Sequence, residues 1–242
     1  MSVGSKAHYI SSVTTGAEKK TAEYCKKLAT EAIIEAEEKY DCKVTSLVTD
    51  DEAKMVKMRA DFKVSDPDLT VYGCSSHYLS LLGCDITVKS VVNQVVEVNK
   101  YFRNRHRPNA LLTACNGAVK PALPCATRWN SQIDCLQSYI TNRPFMIGIV
   151  SDENNDIEAN IAKIILNIHL YKEVKSHVEQ LSPIAKALDN AQSDSCGIAD
   201  TCQDWVALCT NEQLEPVRSK VIKRFSQAMT EAHFLANLLH HH

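Results

Sequence analysis

The hydrophobic period of this chain changes once, near residue 85, and that change limits the fold more than any other feature. Before it, short β-branched runs alternate with amphipathic segments. Residues 7–13 (AHYISSV) alternate and read as a strand, broken by Thr14, Thr15 and Gly16. From Ala17 to Tyr40 the apolar residues Ala22, Cys25, Leu28, Ala29, Ala32, Ile33 and Ala36 recur at helical spacing, and Asp41 closes the segment. Val44–Thr49 is a second strand. A helix around Met55, Val56 and Met58 runs to the turn-forming Ser65–Asp68. Leu69–Gly73 is the third strand, and Ser75–Leu82 restarts a helix. Strand and helix in alternation predict an α/β region with a largely parallel sheet over residues 1–85.

Past Val88 the strands stop. Val88, Val91, Val92, Val95, Val96 and Tyr101 form one long helical face, and Pro108–Pro124 reads as a connector. Helical spacing then covers Ile133–Ile140, Ile157–Tyr171, Val174–Ala191, Ile198–Cys209 and Val217–Leu239, with Ser182-Pro183 expected to start a fresh helix. The expected architecture is therefore α/β followed by all-α, with residues 86–242 forming the helical region.

The formal net charge of −2 gives no overall electrostatic case for nucleic acid, so that case rests on local patches. No stretch approaches the ~18 apolar residues of a membrane span, and no membrane partner is expected. Met1–Ile10 lacks the apolar core of a secretion signal, so the ten cysteines read as reduced thiols of a nuclear or cytoplasmic protein. No pair is spaced C-x-x-C. Cys196, Cys202 and Cys209 cluster loosely, a pattern that fits small core residues better than a zinc site.

Four segments carry candidate chemistry. Thr49-Asp50-Asp51-Glu52 ends a strand at the sheet edge where ligands and divalent cations bind, although carboxylates there also cap the next helix. Cys74 and His77 leave the next strand in the same way, as metal ligands or as ordinary buried groups. Lys100–Arg107 places Arg103, Arg105 and Arg107 around aromatics, a composition suited to phosphates and bases or to a solvated helix end. Arg128-Trp129 pairs a cation with one of two tryptophans, either a base-stacking group or core.

Taken together, VTDDEAKMVKMR at Val48–Arg59, VYGCSSHYLSLLG at Val71–Gly83, the valine helix, and TRWNS at Thr127–Ser131 resemble the hAT superfamily of cut-and-paste transposases. The resemblance continues through Ile184–Trp205 and AHFLANLL at Ala232–Leu239. It implies a truncated ribonuclease-H-like sheet with a large helical insertion, and a chemistry in which three carboxylates hold two divalent metal ions. Asp50 matches the second carboxylate, with Asp51 where the family usually has asparagine. Cys74 and His77 match the C-x-x-H motif. Arg128 and Trp129 match the R-W motif, whose tryptophan stacks on an extruded base. The first carboxylate is expected upstream of SKAHYISSV and the third beyond AHFLANLL.

A single vestigial Asp50 implies a non-catalytic, transposase-derived protein that contacts DNA or protein, with nuclear localisation favoured. No cofactor is expected on that reading. The alternative is a Mg²⁺- or Mn²⁺-dependent transposase or nuclease completed by a partner chain or a longer parent protein. A short sheet lacking its first strands also predicts homo-oligomers through the exposed sheet edge.

Overall fold

The computed structural model describes residues 2–3, 6–125 and 129–240, with backbone alone for residues 2, 3, 6 and 7. By internal contacts the chain falls into two units. One comprises residues 1–81, 187–210 and 221–242, and the other residues 82–186 and 211–220. Late helices thus join the α/β segment in the first unit. The protein is mostly helical, with a small parallel sheet.

In the first unit, β1 (Ser2–Val3) and β2 (Lys6–Ala7) form a minimal antiparallel pair. Helix α1 (Ala22–Tyr40) starts where the Thr21 hydroxyl accepts from the Tyr24 N–H, and ends at Asp41 in the left-handed region, φ 46°. Strand β3 (Ser46–Thr49), helix α2 (Ala53–Ser65), strand β4 (Thr70–Gly73) and helix α3 (Ser75–Ile86) follow. β3 and β4 pair in parallel, with Ser46 beside Thr70 and Thr49 beside Gly73. Their inner side is a core of Ala22, Met58, Phe62, Leu69 and Val71, onto which Ile33, Leu47 and Met55 pack.

The strand expected over residues 7–13 does not form. Only Ala7 lies in a strand, and Tyr9 and Val13 stay exposed. Alternation alone does not hold an extended segment that has no neighbouring ladder and no apolar face to bury. Among the described residues the parallel sheet therefore has two strands.

The second unit is built on α4 (Lys89–Asn104), whose Val91, Val95, Val98 and Phe102 are buried against α6 (Ser131–Ser151) and α7 (Ala159–Leu166). Each such side chain contributes about 1.5–3 kcal/mol. The segment read as a connector begins as helix α5 (His106–Thr113), because Pro108 falls in its first turn, where a missing N–H costs nothing. The rest is pinned to neighbouring helices by side chains. Asn142 exchanges two 2.8 Å hydrogen bonds with the Val119 backbone, and Ser138 Oγ accepts from the Ala122 N–H at 3.0 Å.

Helix α8 (Ile168–Ala191) begins at Asn167, whose Oδ1 accepts from the His169 and Leu170 N–H groups. Pro183 starts no new helix; it lies inside α8. Its missing N–H leaves the Glu179 carbonyl, on an exposed residue, without its usual helical donor. α9 (Ile198–Thr210), α10 (Arg218–Ala228) and α11 (Glu231–His240) complete the chain.

Two buried imidazoles accept hydrogen bonds at helix starts. His177 Nε2 takes the Val88 N–H at 3.0 Å ahead of α4, and His233 Nδ1 takes the Thr230 N–H at 3.3 Å ahead of α11. Burial pushes both pKa values down from the usual 6.5. The unfolded chain therefore binds protons that the folded chain refuses, and stability falls as pH drops through about 6.5 toward the folded values. Each histidine contributes at most about 1.4 kcal/mol per pH unit. Urea denaturation at about pH 7.5 and about pH 5.5 should show a lower midpoint at the acid value, and His177→Gln, which keeps an acceptor, should reduce the difference.

Candidate functional site

The carboxyl ends of β3 and β4 deliver the two best candidate segments to one sheet edge. The Cys74 N–H donates to the Thr49 carbonyl at 2.7 Å, so Asp50 and Cys74 leave the sheet side by side. The Cys74 carbonyl accepts from the His77 and Tyr78 N–H groups and so opens α3. His77 is half-buried, its ring edge toward Tyr78.

The two aspartates have different lives. Asp50 is exposed, and its Oδ1 accepts from the Glu52 N–H at 3.2 Å, a local turn that leads into α2. Glu52 occupies the N-cap position of α2 and makes no side-chain cap bond. Asp51 turns inward. Its Oδ1 accepts from Arg59 Nη2 and from the Tyr78 hydroxyl, each at 2.6 Å. Arg59 is itself buried at 8% exposure and also donates to Thr49 Oγ1 at 2.7 Å and to the Asp50 carbonyl. Burial, and then the bond to Asp51, push the Tyr78 hydroxyl up to about 12, so it remains a donor.

A two-metal site needs several oxygen ligands free to converge. Here Asp51 is taken by a guanidinium and a phenol. Among the described residues no three His, Cys, Asp or Glu side chains come together as a metal-holding group. The residues present do not fit a two-metal centre. Cys196, Cys202 and Cys209 likewise form no such group.

Arg59 and Tyr78, which organise this edge, escaped the motif reading. The available signal was register: Arg59 occupies the buried face of α2 beside Met55 and Phe62, where a cation requires a partner.

The basic segment lies in the second unit, and its arginines are engaged. Arg103 donates to the Pro121 carbonyl at 3.2 Å. Arg105 pairs with Glu158 at 2.6 Å and stacks over Tyr101. Arg107 bonds the Asn154 carbonyl. All three remain exposed to solvent, but each also ties the α4–α5 corner to a loop.

Trp129 is 7% exposed and lies flat on Gly83, so its faces meet protein rather than solvent. A Cβ at Gly83 would stand 2.1 Å from the indole. Gly83→Ala is accordingly expected to cost about 1–3 kcal/mol in a denaturation experiment. Arg128 lies outside the described residues.

No protein-family model matches the chain, and no curated protein matches it. Among the described residues no single helix is long and apolar enough to cross a membrane.

Proposed function

We propose that this chain is a non-catalytic, hAT transposase-derived protein whose remaining role is contact with nucleic acid or protein, in the nucleus. The observation that carries the non-catalytic part is Asp51 held by Arg59 and Tyr78, with no group of three His, Cys, Asp or Glu side chains gathered around Asp50 among the described residues. A ribonuclease-H-like ancestry accounts for parallel strands whose ends carry Asp50 and Cys74, followed by a long helical region. In this reading the helical part is the family's insertion.

Contact with DNA would rest on Arg103, Arg105 and Arg107, which reach solvent. Their carbonyl and carboxylate partners lower the charge on offer, so binding is expected to be weak and strongly salt-dependent. Filter retention of labelled duplex and hairpin oligonucleotides at low salt tests this. Retention that falls on Arg103→Ala with Arg107→Ala supports the nucleic-acid role; no retention of any DNA removes it and leaves protein contact.

The alternative, a metal-dependent transposase or nuclease completed by another chain, draws on the same edge. Among the described residues β3 pairs with no strand other than β4, and its Val48 side chain is half exposed. A strand added by a partner would extend the sheet beside Asp50. Val48→Lys is expected to abolish such strand addition, read as loss of co-purification with that partner.

A further inference from the structure

We infer that α11 is the contact surface for a second copy of this chain. The inference is independent of the transposase reading and of strand addition at β3. One side of α11 packs on α9. The other side leaves Phe234, Leu235, Leu238 and Leu239 between 49% and 65% exposed. These positions span about 140° of helix surface, an unbroken apolar stripe. Phe225 on α10 meets the Phe234 ring at 6.1 Å, and Ile222, one turn earlier on α10, is 52% exposed. The stripe therefore continues from α11 onto α10.

The exposed apolar area is on the order of 500 Å², at the upper end of what a monomer carries. It also matches the apolar share of a standard interface of about 800 Å² per partner, because homodimer interfaces are about 65% apolar. A second copy suits the charge pattern. Glu231 is the one carboxylate of α11 and lies at the start of the helix. Copies crossing antiparallel between Leu235 and Leu238 set Leu235 against the partner's Leu238. That crossing keeps the two Glu231 groups roughly 16 Å apart, beyond a Debye length at physiological salt. A two-fold pair of this kind closes on itself. α11 itself has no lysine or arginine, the residues that flank a membrane-surface helix; the cations beside the stripe, Lys223 and Arg224, lie on α10, where Arg224 donates to Gln227.

The test is sedimentation equilibrium of the full chain up to about 100 µM, with Leu235→Glu/Leu238→Glu and, separately, Leu239→Lys. The expected result is a species of twice 26.9 kDa that both variants convert to monomer, with helical content by circular dichroism unchanged. A monomeric wild type overturns the inference. So does a dimer that survives both variants but is lost on Val48→Lys, which would place self-association at β3. Flotation with anionic vesicles that the same variants abolish, without a dimer in solution, also overturns it.

Discussion

Arg59→Ala is expected to destabilise the protein by about 3–5 kcal/mol, the cost of leaving a buried charge without its partner. The Arg59 side chain is 9% exposed and that of Asp51 22%. Removing the guanidinium takes away its bonds to Thr49 Oγ1, the Asp50 carbonyl and Asp51 together, and the Tyr78 hydroxyl alone cannot balance the carboxylate. Arg59→Met combined with Asp51→Asn should recover more than half of the loss, because it removes both charges and keeps volume and a hydrogen-bonding group. Urea unfolding followed by circular dichroism measures both. A loss below about 1 kcal/mol for Arg59→Ala would mean that the clamp is not what holds Asp51, since that is the size of an ordinary surface pair.

The second large effect concerns Trp129. As a base-stacking residue it would be expendable for folding, and Trp129→Ala would weaken DNA retention alone. Packed on Gly83 at 7% exposure, it is expected instead to cost about 3–5 kcal/mol of stability on truncation. Any change in DNA retention should then track the folded fraction. Parallel measurement of the denaturation midpoint and of filter retention separates the two roles. Unchanged stability with lost retention would restore Trp129 as a DNA contact.

Much of the architecture was readable from periodicity. The valines of α4 recur over nearly three turns, too far for a strand; Val91, Val92, Val95 and Val98 are buried, whereas Val88 stands exposed at the N-cap and Val96 is half-buried. The Val44–Thr49 and Leu69–Gly73 runs became β3 and β4 because each could bury a residue against α1 or α2. Residues 7–13 alternate equally well but found no ladder, a fact about neighbours that local pattern does not contain. Pro183 suits a helix start by its fixed φ, yet it lies inside α8, where the same φ is also compatible with the helix.

At the candidate site the sequence marks Asp50 at a strand end, but not the partners that hold Asp51 beside it. Asp50 and Asp51 are adjacent in sequence and opposite in environment, and the difference is made by Arg59 on the next helix and Tyr78 beyond the next strand. Similarly, the Arg103–Arg107 composition showed charge but not the Pro121, Glu158 and Asn154 partners that engage it.

The central claim, that the chain does not cut DNA, is tested most directly by incubating purified protein with supercoiled plasmid and hairpin duplex in Mg²⁺ and in Mn²⁺, and scoring nicks. The expected result is no nicking above the protein-free control in either metal, because among the described residues no metal-holding group gathers around Asp50 and Asp51 is held by Arg59. Metal-dependent nicking that disappears on Asp50→Ala would contradict the account and show that the carboxylates of a working site converge on this edge.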